Sequence, residues 1–171
     1  MRAICNAQYL QPSLLDRLTD LSPDEVVDTS LERLMSPAKL RERVLQDLHA
    51  LLNTLVVSSY PAINNYRLSS SSVIQYGMQS FVGATRSSLD LAVLENSLRS
   101  AILRYEPRIF PASLQVNALA NEQSAESQKL MFEIIGECWG HPMPEPLYIK
   151  TILDLESGEQ NFIELGWAAY G

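Results

Sequence analysis

The spacing of apolar residues changes along this chain. Up to about residue 105 they recur every three or four positions, and beyond it every second position, which predicts helices followed by a sheet. Ser36 and Pro37 open the stronger early helix, where Leu40, Val44, Leu48, Leu51 or Leu52, and Leu55 share a face while Arg41, Glu42, Arg43 and Asp47 lie mostly elsewhere. It is expected to end near Asn53. A serine- and asparagine-rich stretch over 58–72, with Pro61, predicts a long polar connection. The next helix is expected from about Ser88 to Tyr105, with Leu91, Leu94, Leu98, Ile102 and Tyr105 on one face and Glu95 four residues before Arg99. Pro107 ends it, because a residue preceding proline is pushed out of the helical region.

Period-two alternation then marks three strands, at Leu114, Val116 and Ala118; at Leu130, Phe132 and Ile134; and over residues 147–155. The Glu156-Ser157-Gly158-Glu159 turn allows a fourth strand from Asn161 to Glu164. The expected fold class is α+β, with N-terminal helices followed by a small antiparallel sheet and helices packed on one of its faces. Residues 147–155 are either an open sheet edge, ready to accept a strand from another chain, or an internal strand paired on both sides.

Residues 1–35 read as short helical pieces. Ser13 caps one of them with Asp16 at its N3 position, and Ser22, Pro23 and Glu25 repeat that logic. Leu14, Leu15, Leu18 and Leu21 form a stripe that either docks on a partner or folds back onto the main core. The chain thus divides into a docking segment, 1–35, and an α+β domain, 36–171. Its 171 residues, 46% of them apolar, suffice for one core.

Charge narrows the function classes. Thirteen Lys and Arg against 20 Asp and Glu give a net charge of −7, which repels a phosphate backbone, so no nucleic-acid partner is expected. Cys5 and Cys138 form no CxxC pair, which argues against a zinc ribbon or disulfide framework and for a reducing compartment. Neither an apolar signal region at the N-terminus nor a run of roughly 20 apolar residues is present, so neither export nor membrane insertion is expected.

Candidate chemistry is sparse. His49 lies within a helix and His141 in the Gly140-His141-Pro142 loop, neither at a metal-ligand spacing, and the phosphate-loop, dinucleotide and serine-hydrolase glycine motifs are missing. No cofactor is expected. Glycoside hydrolysis needs only two carboxylates, and Glu106, with Glu133 or Glu137, is the candidate set. Against it stands Arg108, two residues on in an extended segment and therefore on the same side as Glu106, where a guanidinium favours an ionised carboxylate over a general acid.

Glu106-Pro107-Arg108-Ile109, directly after a helix containing Leu94, Glu95, Leu98, Arg99 and Ile102, resembles the EPR motif of the phage baseplate wedge family. That family was labelled lysozyme-like and includes TssE of type VI secretion systems. The resemblance extends upstream to Pro12-Ser13-Leu14-Leu15-Asp16-Arg17-Leu18, Val44-Leu45-Gln46-Asp47-Leu48 and Ser72-Val73-Ile74-Gln75-Tyr76-Gly77. Downstream it takes in Trp139, Pro144-Glu145-Pro146-Leu147-Tyr148 and Leu153-Asp154-Leu155-Glu156-Ser157-Gly158, covering roughly residues 12–164. It implies a structural baseplate component that associates with TssF, TssG and TssK, links them to the TssB/TssC contractile sheath and promotes its assembly. The implied location is the cytoplasm, in a complex docked at the inner membrane. The alternative is a peptidoglycan-cleaving lysozyme-like enzyme. Glu106, Pro107, Arg108, Leu14, Leu15 and Leu18 are the expected partner-binding residues, with intramolecular bracing as the other role open to the EPR segment.

Overall fold

In α2, Pro37–Asn53, the Ser36 hydroxyl accepts from the Lys39 amide at 3.3 Å and Pro37 occupies the first turn, where its missing N–H leaves nothing unsatisfied. The computed structural model describes residues 13–18, 36–56, 66, 68, 69, 72–85, 88–119, 128–139 and 143–164. Within these lie α1 (Leu14–Leu18), α2, a 3-10 turn (Val73–Gln75), α3 (Leu91–Tyr105) and four strands: β1 (Gln115–Leu119), β2 (Lys129–Cys138), β3 (Glu145–Asp154) and β4 (Gln160–Glu164).

Leu40, Val44, Leu48, Leu51 and Leu52 of α2 and Leu94, Leu98 and Ile102 of α3 are buried, as their spacing predicts. Tyr105 is half-buried, and two members of the expected stripes are exposed. Leu91 opens α3 and is 39% exposed, and Leu55 lies beyond the end of α2 in a bridge to Met78, 55% exposed. The α3 helix starts at Leu91 because the Asp90 carboxylate accepts from the Ala92 amide at 2.9 Å, while Ser88 is engaged in a local turn with Thr85.

The sheet is antiparallel in the order β1-β2-β3-β4, with α2 against β3 and β4 and α3 against β1. One face carries Leu130, Phe132, Ile134, Leu147, Ile149 and Leu153 into the core shared with the helices. The structure is α+β. Residues 147–155 are not an edge: β3 pairs with β2 on one side and with β4 on the other. The hairpin at Asp154–Glu159 is the reason, since it returns β4 to the only side of β3 that β2 leaves open.

The two edges differ in how their backbone groups are used. On β1, the Glu95 carboxylate accepts from the Ala118 amide at 2.6 Å and the Arg99 Nε donates to the Leu114 carbonyl at 3.3 Å, so this i, i+4 pair serves the strand edge. On β4, Asn53 is the one side chain placed this way among the described residues: it accepts from the Gln160 amide at 2.8 Å and donates to the Gln160 carbonyl at 3.0 Å. Both Gln160 groups therefore face away from β3, and the alternation of antiparallel pairs turns Phe162 and Glu164 outward too. Among the described residues, no further strand pairs with β4 at its Phe162 and Glu164 end.

A glycine is required next to α2. The Met78 amide donates to the Thr54 carbonyl at 2.8 Å, drawing Gly77 so close that a Cβ there would lie 2.3 Å from the Thr54 oxygen; its φ of 118° is also one that side chains rarely adopt.

Candidate partner-binding site

Ile102 takes the last α-helical bond of α3, accepting from the Glu106 amide at 2.8 Å. Glu106 then leaves the helical region, and the Ile109 amide returns to the Glu106 carbonyl at 3.3 Å, closing a turn with Pro107 in its second position. The segment is thus a tight turn, not the extended presentation expected from its sequence. Proline's fixed φ suits that position equally well, and the turn still brings the two charged side chains together.

Arg108 grips Glu106 with two arms. Its Nε donates to Oε1 at 2.6 Å and its Nη2 donates to Oε2, while the Arg108 backbone amide also donates to Oε1 at 3.2 Å. The same Nη2 reaches Asp47 on α2. One guanidinium therefore ties the end of α3 to the middle of α2. Glu106 is 3% exposed, the Arg108 side chain 18% and that of Asp47 53%. Burial disfavours the charged Arg108, but the hydrogen bonds and charge of Glu106, followed by those of Asp47, outweigh it and raise its pKa.

The turn is also stitched to the sheet. Ile109 bridges Cys138 at the end of β2, with the Trp139 amide donating to the Arg108 carbonyl at 2.7 Å and the Phe110 amide donating to the Glu137 carbonyl at 2.9 Å. Ile109 and Cys138 are buried in the core beneath the turn. Cys138 is a free thiol pushed up to about 12, first by burial and then by Glu106, with Arg108 opposing. Tyr76, packed edge-on against Tyr105 at 5.2 Å, is likewise raised by burial, then by Asp47 and Glu106.

The arrangement offers little to hydrolysis. Both Glu106 oxygens accept from Arg108 and the residue is buried, so no oxygen faces a cleft where a glycosidic bond could be protonated. Glu133 accepts a hydrogen bond from the Tyr148 hydroxyl, and Glu137 is exposed beside Phe110. His49 is exposed on α2 with its ring edge-on to Phe162 at 5.3 Å, and His141 lies outside the described residues. Among the described residues, no group of three or more His, Cys, Asp or Glu could hold a metal ion, and no helix is long and apolar enough to cross a membrane.

The other expected partner residues stand apart from this turn in sequence and in character. Leu14, Leu15 and Leu18 of α1 are 72%, 72% and 74% exposed, and Leu21 lies outside the described residues. Sequence reasoning did not single out Asp47 as part of the EPR constellation. Its position on the polar flank of α2 gave no sign that a residue 61 positions away would reach it.

No curated protein matches this chain. Among solved structures it is similar to a crystal structure from Geobacter sulfurreducens named "putative tail lysozyme", with 18% identity, 85% of this chain and 100% of that one covered, and a TM-score of 0.40. That likeness is too distant to bear on activity. The profile of the family described as baseplate wedge protein gp25 matches residues 38–143, a span that holds α2 but for its first residue, α3, the EPR turn, β1 and β2. With more than half of its length matched, the chain belongs to the baseplate wedge protein gp25 family.

Proposed function

We propose that this chain is a non-catalytic wedge subunit of the TssE type, joining the TssF, TssG and TssK subunits of a type VI secretion baseplate to the TssB/TssC sheath and promoting sheath assembly. It works on the cytoplasmic side of the inner membrane. Membership of the baseplate wedge family supports the structural role. The observation that carries the sheath connection is the edge of β4, where the backbone groups of Phe162 and Glu164 face away from β3 while Asn53 covers only Gln160. A strand from a sheath subunit adds there by main-chain pairing. In this reading the exposed leucines 14, 15 and 18 hold the wedge. Pro107 and Arg108 form the accessible part of the EPR contact, and Glu106 fixes Arg108 from below.

Glu164→Pro tests the edge. It removes an outward amide at the end of an edge strand, a position where proline is tolerated by the fold. Sheaths imaged with a fluorescent sheath subunit should fail to initiate in cells carrying this variant, while its thermal melt stays close to that of the unmodified chain. Normal sheath dynamics would remove β4 from the sheath connection. Digestion of purified sacculi by the chain, lost in Glu106→Gln, would replace the structural reading with an enzymatic one.

A further inference from the structure

Arg108 is the obvious hand to offer a partner, yet its charge is already committed. Two carboxylates, Glu106 and Asp47, bond one guanidinium, so the trio carries one formal negative charge in excess. Glu106 is buried, which leaves Asp47, 53% exposed, as the member that presents this charge to solvent. Two neighbours report the same sign. Burial raises both groups most; beyond it, Asp47 and Glu106 raise the Tyr76 hydroxyl further, and at Cys138 the influence of Glu106 exceeds that of Arg108, as that of Glu145 exceeds that of Arg41. Glu137, paired with Phe110 at this end of the sheet, is exposed and adds to the field.

Exposed aromatic residues are tied to the same turn through their backbone. Trp139 is 65% exposed although its amide is fixed on the Arg108 carbonyl, and Phe110 is 37% exposed although its amide is fixed on β2. A large aromatic side chain held by an ordered backbone and left in water is the composition of an interface anchor.

Resting on the wedge-subunit reading, we propose that the surface around the EPR turn docks a partner segment that presents a lysine or arginine beside an apolar side chain, Asp47 receiving the cation and Trp139 the apolar contact. An acidic partner segment aimed at Arg108 would meet the excess negative charge of the trio. Arg108, at the border of this surface, positions Asp47, and the charge that selects the partner lies in a residue outside the motif.

The test measures capture of a purified TssF–TssG complex by the immobilised chain at low and high salt. Asp47→Lys should abolish capture. Asp47→Asn, which keeps a side-chain acceptor for Arg108, should weaken it about tenfold at low salt and flatten its salt dependence, and Trp139→Ala should weaken it by about tenfold or more. Thermal melts of the three variants establish that each is folded. Capture of all three as tight as that of the unmodified chain overturns this inference and leaves the wedge reading standing. Loss in Trp139→Ala alone, or tighter capture by Asp47→Lys, overturns the basic partner. No capture of TssF–TssG by the unmodified chain overturns the wedge reading and this inference with it.

Discussion

The EPR turn and the α1 leucines are both candidate partner sites, but they relate to the fold in opposite ways. The turn closes α3, bridges β2, ties down α2 and sits over Ile109 and Cys138 in the core. The leucines of α1 are more than two-thirds exposed on a helix of five residues. A site built into the core cannot be altered without altering stability, whereas an exposed stripe can. Loss of function alone therefore says little about the turn and a great deal about α1.

The largest effect is expected at the turn. Arg108→Ala strands a buried carboxylate and should cost about 3–5 kcal/mol in urea melts, a large share of a domain's stability; Glu106→Ala leaves the guanidinium its bond to Asp47 and should cost less. Gly77→Ala calibrates that loss. It forces a Cβ against the Thr54 carbonyl without touching an ion pair and should cost roughly 1–3 kcal/mol. If sheath assembly falls in proportion to stability across all three variants, the turn is bracing. A deficit at Arg108→Ala beyond the line set by Gly77→Ala identifies a partner contact.

The sequence foretold some of this and missed the rest for reasons of geometry. The Glu106–Arg108 pairing and the helix stop at Pro107 were legible because they are local. The turn itself was not, since proline's φ fits an extended segment and the second position of a turn alike. The alternation over 147–155 announced a strand with one buried face but carried no information on its neighbours in the sheet. Edge or centre is decided by the hairpin that follows. Asp47 was hidden for the same reason, its partner lying across a tertiary contact that no local spacing encodes.

A smaller effect is expected beneath the turn. The Cys138 thiol is pushed up to about 12, chiefly by burial, so its folded-state value lies above that of the unfolded chain. Its contribution to stability is then complete below the ordinary thiol range and is lost as the pH rises from there towards about 12. Urea melts at stepped alkaline pH should show a steeper decline for the unmodified chain than for Cys138→Ala, which has no thiol to ionise. Parallel declines would mean that the thiol is more open to water than its 2% exposure indicates.

The smallest effect on stability, and the sharpest separation of the two sites, is expected at α1. Replacing Leu15 and Leu18 by Asp places charges where the side chains already meet water, so urea melts should shift by no more than about 0.5 kcal/mol. A helix of this length is not stable on its own, and residues 36–164 should retain their cooperative transition. Association is expected to behave differently. If the stripe lies in a groove of a wedge partner, two carboxylates in an apolar contact are prohibitive, and co-purification with TssF and TssG should be lost. Joint loss of stability and association would mean that α1 packs on its own domain, and full retention of both would remove the leucines from any contact. Loss of association with an unchanged melt is the result that makes α1 the docking segment, and it is the outcome that the EPR turn, anchored as it is in the core, cannot give.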